Sequence, residues 1–276
     1  MEDDTGLKSR LRATLHDMRR LFPVTDETVS AASAEGEWGL DALADAYAYP
    51  KERGPSGAWL RANMVSSLDG AAQHEGRSQP ISSDTDMRIF GTLRALADVV
   101  VVGAETVRLE GYRPARAREA FAARRAAAGQ GPAPAIAVVS ASLNLDFSLP
   151  LFTSPLVPTL VLTGAAAPLD GIRAAREAGA EVLVAGDGAA VDPPRAVEAL
   201  AERGLTRLLT EGGPRLLAQF ITAGVLDELC LTVSPVLTAG RAQRIADGPG
   251  VAVPERFALA SVLEEAGFLF TQYRRI

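Results

Sequence analysis

Cysteine is almost missing from this chain. Cys230 stands alone among 276 residues, which excludes an internal disulfide and a Cys-rich metal site. Its neighbours Leu229, Leu231 and Val233 are the setting of an inert core thiol. Histidine is nearly as scarce. His16 and His74 lie far apart, so a His-based metal centre or a Ser-His-Asp arrangement has little material. A surplus of basic charge is lacking too: the net charge is −6, with acids and bases mixed, which argues against a nucleic-acid surface. No apolar run approaches a membrane span, and the acidic start with its spaced apolar residues lacks the pattern of a signal peptide. The chain reads as soluble and cytoplasmic, with no metal site.

What is present is material for a core. With 47% hydrophobic and 22% charged residues, the chain can form one large domain or two small ones. The stretch that organises the rest runs from Thr206 to Gly224. An apolar run, Leu208 and Leu209, stops at Glu211; Gly212 and Gly213 follow; Pro214 then opens an amphipathic segment with Leu216, Leu217, Phe220 and Ile221 on one face. This is a strand, a tight turn and a helix, with proline at the first helical position. Two glycines allow a ligand close to the backbone, and the helix N-terminus favours an anion such as a pyrophosphate. The plainer reading, that Gly-Gly-Pro only turns the chain, stands beside it. Glu211 favours the functional one, because ligands of open α/β sheets sit at the carboxyl ends of strands.

In chain order, residues 7–22 place Leu7, Leu11, Leu15, Met18 and Leu21 on one helical stripe, and 23–57 read as a wrapping segment. Trp59–Ser66 is the first strand, turned outward by Ser67-Leu68-Asp69-Gly70; Ser82 and Ser83 are candidate caps for the helix after it. Asp98–Val102, without polar alternation, is a strand buried on both faces. Residues 114–131, rich in Ala and Arg, read as an exposed helix with a solvated basic face. Further strands are expected at Ala135–Val139, Thr159–Thr163, Glu181–Ala185 and Thr206–Thr210, with helices at 169–178 and 194–203. The end changes character: Leu226–Val236 alternates, and Phe257–Leu263 joins Phe268–Tyr273 through Glu265-Ala266-Gly267 in a hairpin pattern. The fold class is α/β, a mostly parallel sheet finishing in antiparallel strands.

Three blocks carry a resemblance: Asn63-Met-Val-Ser-Ser-Leu-Asp-Gly70, Leu93-Arg-Ala-Leu-Ala-Asp-Val-Val-Val-Val-Gly-Ala-Glu-Thr106 and Leu209-Thr-Glu-Gly-Gly-Pro-Arg-Leu-Leu217. In this order they resemble the pyrimidine reductase of riboflavin biosynthesis, which has a dihydrofolate-reductase-like three-layer fold and often follows a cytidine-deaminase-like domain. The likeness runs from about Trp59 to the C-terminus, which implies an N-terminal extension at 1–58 and a reductase domain at 59–276. A zinc deaminase needs a Pro-Cys-x-x-Cys pair, and one cysteine cannot provide it, so a stand-alone reductase is expected.

The resemblance implies an NADPH-dependent reduction of the ribosyl group of 5-amino-6-(5-phosphoribosylamino)uracil to ribityl. The protein's tasks would then be orientation and electrostatics. Carried over by motif, Gly212, Gly213, Pro214, Arg215, Leu216 and Leu217, on to Gln219, would receive the cofactor pyrophosphate. Val65, Thr106, Glu110 and Ser140 would line the nicotinamide nucleotide. Ser78, Arg94 and Glu211 would hold the substrate, with Arg94 and either Arg113 or Arg116 on its phosphate. Asp69 and Glu211 are the acids expected at the reacting centre; each also has a plain reading, as a turn residue and a helix cap.

Two places depart from the family pattern: Pro80 replaces a frequent aromatic, and Glu110-Gly111 replaces an Asp-Asp-Pro turn, so the second phosphate arginine cannot be placed by counting. A related reductase of another pteridine or pyrimidine, such as dihydrofolate, and a non-catalytic NADPH-binding module are the alternatives. Asp69, Arg94 and Glu211 together argue against the last. The family resemblance also implies a homodimer. The alternating Leu229, Leu231 and Val233 and the run Phe268-Leu269-Phe270 are apolar faces that need a cover, either a second copy or the chain's own Leu7–Leu21 stripe.

Overall fold

A computed structural model describes residues 18–24 and 38–276. Ten strands form one sheet in the order β1-β9-β10-β8-β2-β7-β3-β4-β5-β6. Its parallel part is β2 (Trp59–Ser66), β7 (Arg207–Thr210), β3 (Val99–Gly103), β4 (Ala135–Val139), β5 (Leu160–Thr163) and β6 (Glu181–Val184). β8 (Glu228–Val233) also runs parallel to β2. Beyond it, β10 (Phe268–Arg275), β9 (Phe257–Glu265) and β1 (Arg19–Phe22) pair antiparallel. The α/β class and the antiparallel ending expected from the sequence are therefore observed.

The unbroken apolar run of β3 is explained by its place. Val99, Val100, Val101 and Val102 are buried, alternately feeding two clusters, one on each face of the sheet. One face is covered by α1 (Leu40–Ala46) and α2 (Asp84–Leu96), followed along the chain by α3 (Ala104–Glu110), α4 (Ala122–Ala127), α5 (Pro150–Thr153) and α6 (Leu169–Glu177). On the other lie α7 (Pro193–Ala201) and α8 (Pro214–Thr222), whose Leu216, Leu217 and Phe220 are buried on the sheet.

α2 is secured at both ends. The Ser83 hydroxyl accepts the Asp86 N–H at 3.1 Å, a side-chain N-cap. At the other end, Arg125 Nη1 donates to the Ala95 and Ala97 carbonyls, each at 2.8 Å. These are carbonyls that a helix end leaves unpaired. Arg125 thus corrects the solvated basic face expected over 114–131. That stretch is helical only at Ala122–Ala127 with a 3₁₀ turn at Glu119–Phe121, and Arg125 is buried.

A second correction lies near the N-terminus. Residues 7–17 of the expected helical stripe are outside the described residues, but Arg19–Phe22 is a strand, not a helix. It pairs with β9, Arg19 opposite Glu264 and Arg20 opposite Leu263. Otherwise β9 would leave a row of open backbone donors and acceptors, and satisfying them outweighs local helix preference. The β9–β10 turn is as read: Ala266 and Gly267 have φ of 51° and 83°, the positive values that two-residue hairpin loops require.

Where parallel and antiparallel strands meet, Arg61 and Glu228 form a wholly buried ion pair, Nε to Oε1 2.6 Å. Gln272 and the Trp59 indole also donate to Glu228, at 2.7 and 3.0 Å. Burial alone would raise the carboxyl pKa, but Arg61 beside it holds it below the usual value. Losing either partner would strand the other charge, at about 3–5 kcal/mol. Burial pushes the nearby Cys230 thiol well up.

Candidate active site

The parallel strands all deliver their carboxyl ends to one edge of the sheet, and most site candidates lie in the loops and helix starts that follow them. After β7 the chain turns through Gly212, with φ 92°, a region that favours glycine. Gly213 is extended and caps α8, accepting the Leu217 N–H at 3.0 Å. Gly103, at the end of β3, donates to the Gly212 carbonyl at 3.3 Å and so ties this turn to the start of α3. The first-turn N–H groups of Arg215 and Leu216 have no acceptor within their own helix.

A cavity of about 480 Å³ opens here, with Met64, Thr106, Ser140, Gly213, Arg215 and Leu216 among its walls. It follows the sheet edge from β2 across to Ala190 and Val191 beyond β6. A second cavity, of about 560 Å³, lies over α2 and the segment after α3, with Arg94, Tyr112, Arg113, Arg116 and Arg118 in its walls. Ser78, Thr106, Glu110 and Glu211 line both.

The wall between them holds a compact polar cluster. Arg94 Nε donates to Glu211 Oε1 at 2.5 Å, and its Nη2 to Oε2 at 2.5 Å. The same Nη2 donates to the Tyr112 hydroxyl at 2.5 Å, and that hydroxyl donates to Glu211 Oε2. The Arg94 guanidinium lies 4.5 Å from the Phe90 ring centre and 5.2 Å from that of Tyr112. Burial would lower the Arg94 pKa, but the bonds and charge of Glu211 raise it, so the cation is held. Burial, then the negative charge of Glu211, push the Tyr112 phenol well above its ordinary value.

Arg118 is the other arrangement of note. Its guanidinium rests against Gly91 in the middle of α2: an ideal Cβ at 91 would stand 2.2 Å from Nη1. Among the described residues, Arg113, Arg116 and Arg118 have no carboxylate partner, whereas Arg94 is engaged by Glu211.

Not every sequence candidate reaches the cavities. Val65 lines neither; its neighbour Met64 lines one, as the period of two along a strand dictates. Leu217 is buried on the sheet, and Gly212 shapes the turn without joining the walls. Asp69 is also outside both. It accepts from Ser67 Oγ at 2.5 Å and from the Ala239 N–H at 2.6 Å, and the Thr238 N–H lies 3.2 Å from each oxygen. Asp69, expected at the reacting centre, is engaged instead in holding the loop after β8. Those bonds, Ser67 first and then the Ala239 and Thr238 amides, depress its pKa.

Tyr112 and Arg118 were missed by sequence reasoning. For Tyr112 the available signal was Gly111, which ends α3 in the left-handed region with φ 59°. For Arg118 it was a glycine in mid-helix, which costs about 1 kcal/mol against alanine and asks for a reason.

Chemically, a channel flanked by two helix starts suits a dinucleotide, and a cationic chamber beside it suits a phosphorylated substrate. Residues 58–265 match the family model described as the RibD C-terminal domain. The chain is 31% identical over 196 residues to the 2,5-diamino-6-ribosylamino-4(3H)-pyrimidinone 5′-phosphate reductase of Archaeoglobus fulgidus, covering 71% of this chain and 86% of that one. To the protein of the same name from Methanothermobacter thermautotrophicus it is 30% identical over 190 residues, 68% and 83% of the two chains. The crystal structure of a pyrimidine reductase-like protein from Corynebacterium diphtheriae superposes with a TM-score of 0.70 at 28% identity, over 79% of this chain and 92% of that one.

Proposed function

The chain belongs to the RibD C-terminal domain family, and on that footing we propose that its site reduces the ribosyl group of a 5′-phosphorylated ribosylaminopyrimidine to ribityl, with NADPH as donor. It is an oxidoreductase of riboflavin biosynthesis by that membership. The relatives are named for the diaminopyrimidinone, and the uracil expected from sequence differs from it only in the pyrimidine ring. The phosphoribosylamino arm, where the chemistry occurs, is common to both.

The observation that carries this reading is the meeting of two cavities at Glu211. The channel fits a nicotinamide dinucleotide: the N–H groups of Arg215 and Leu216 would take its pyrophosphate, and Gly213 leaves the room a side chain would fill. When bound, NADPH supplies the hydride, received at C1′ of the ring-opened, imine-like sugar. The chain's own part is to orient and to balance charge. Glu211, at the junction of the chambers, would hydrogen-bond the ribosylamino arm and stabilise the positive charge of the protonated imine, which the hydride converts to the neutral amine. Arg113, Arg116 and Arg118, without carboxylate partners among the described residues, would face the phosphate; Arg94 is occupied by Glu211 and presents only Nη1 freely.

Working form and place follow the same reading: a soluble cytoplasmic homodimer. Leu229, Leu231 and Val233 of β8 and Leu269 and Tyr273 of β10 share one half-buried sheet face, which a second copy would cover.

The test is to follow NADPH absorbance with purified protein and, separately, the diaminopyrimidinone phosphate, the aminouracil phosphate and dihydrofolate. Oxidation with a ribosylaminopyrimidine and formation of the ribityl product are expected. Turnover with dihydrofolate alone would overturn the substrate assignment, and turnover with NADH equal to that with NADPH would overturn the choice of donor.

A further inference from the structure

We propose that Tyr112 is a positioning residue for this reaction, holding Glu211 and Arg94 in a single arrangement on the wall between the two cavities. The proposal rests on the reductase reading above. Three elements converge there: α2 brings Arg94, β7 delivers Glu211 just beyond its end, and the turn that closes α3 brings Tyr112. The left-handed Gly111 makes that turn, and the Tyr112 N–H bonds back to the Val107 carbonyl at 3.3 Å.

The hydrogen bonds can be counted atom by atom. Arg94 Nη2 donates both to Glu211 Oε2 and to the Tyr112 hydroxyl, at 2.5 Å each. The Tyr112 hydrogen goes to Oε2. A carboxylate oxygen has about two acceptor sites. Those of Oε2 are therefore filled, while Oε1 has one filled by Arg94 Nε and one open. Tyr112 thereby selects Oε1 as the oxygen that can meet the substrate. Glu211 holds Arg94 by its Nε–Nη2 edge and Tyr112 adds a bond to Nη2, so that edge is closed to a phosphate while the cluster is intact.

A phenol suits this post because it donates and accepts in one atom. Burial and the adjacent carboxylate keep it protonated well past its ordinary range, so the phenol remains a donor as pH rises. Phenylalanine in its place would fill the same space and leave Oε2, still held by Arg94 Nη2, with one acceptor site open, so that either oxygen could meet the substrate.

The test is a double-mutant cycle of Tyr112→Phe and Glu211→Gln, measured with the full chain at saturating NADPH. Tyr112→Phe should lower kcat at least tenfold, with KM for the pyrimidine and affinity for NADPH within about twofold of wild type. In the Glu211→Gln background the same change should cost less than twofold, because its object has been altered. A merely structural tyrosine would multiply its loss in both backgrounds, and that result, or an unchanged kcat in Tyr112→Phe, overturns the proposal. Should Tyr112→Phe melt early, Arg94→Lys with Tyr112 intact provides the second variant: it loses the fork but keeps the phenol bond to Oε2, so it should retain more turnover than the Arg94→Lys, Tyr112→Phe pair. Equal turnover in those two overturns the proposal as well. An inactive wild type rejects the reductase reading, whereas an active wild type with an equally active Tyr112→Phe rejects only this one.

Discussion

Gly213 and Thr106 face each other so closely that an ideal Cβ on the glycine would stand 2.8 Å from the threonine Oγ1. The Gly213 backbone, with φ −63°, is open to any residue. What position 213 requires is therefore space, unlike Gly212, whose φ of 92° is itself a reason for glycine.

Gly213→Val should accordingly fold but lose the dinucleotide. The added branches displace Thr106 and cover the N–H groups at the start of α8. Calorimetry with NADPH should show at least roughly tenfold weaker binding, about 1.4 kcal/mol. Wild-type affinity in a folded variant would remove the pyrophosphate from this turn.

Gly91 and Arg118 give a prediction with two signs. Gly91→Ala should stabilise α2 by up to about 1 kcal/mol from helix propensity. Its methyl would displace the guanidinium that now rests there, so binding of the phosphorylated pyrimidine should weaken. Arg118→Ala should weaken it too, by about 1.5–3 kcal/mol for a bond to a charged group, with NADPH affinity unchanged. Titration of both variants with substrate checks this; a Gly91→Ala protein that binds substrate as wild type does would detach Arg118 from the phosphate.

Asp69 makes a pH-dependent tether. Its folded pKa is depressed below the reference 3.8 by bonds from Ser67, Ala239 and Thr238. A depressed acid contributes stability that is complete above the unfolded value and lost as pH falls through the folded one. Amide-exchange protection at Thr238 and Ala239, corrected for intrinsic rates, should hold from neutrality to about pH 4 and then fall. In Asp69→Asn it should be low throughout. Equal protection in the two proteins at pH 7 would remove Asp69 as the tether of this loop.

The parts of the molecule legible in sequence were those whose cause is local. β3 is an apolar run ended by Gly103 and β7 one stopped at Glu211, and α8 announces itself by Gly213-Pro214 and its apolar face. Thr106, Ser140 and Gly213 meet because each follows a neighbouring parallel strand. The failures depend on distant partners. Arg19–Phe22 is four residues long and is a strand because β9 lies beside it. A Leu-Asp-Gly acid after a strand looks the same whether it faces a cavity or a loop, and the partner of Asp69, Thr238, is 169 residues away. Tyr112 reaches Glu211 across 99 residues, and no spacing rule covers that distance.

The last prediction concerns assembly. Beyond β2 the sheet continues through β8, β10 and β9, with one side packed beneath α1 and α2 through Cys230, Phe270 and Leu263. On the opposite side, Leu269 lies across from Val233, Thr271 from Leu231 and Tyr273 from Leu229. The leucines, valine and tyrosine of that set are only half-buried, and Leu259 of β9, paired with Tyr273, is exposed. A contiguous apolar sheet face left to water promotes association, and a two-fold pairing of two such faces is the commonest closed solution. Sedimentation at low micromolar concentration should therefore give about twice the chain mass of 28.9 kDa. Leu231→Asp with Leu269→Glu, placed on adjoining strands in the middle of the patch, should give the monomer. A wild-type protein that sediments as a clean monomer and retains reductase activity would end the homodimer proposal.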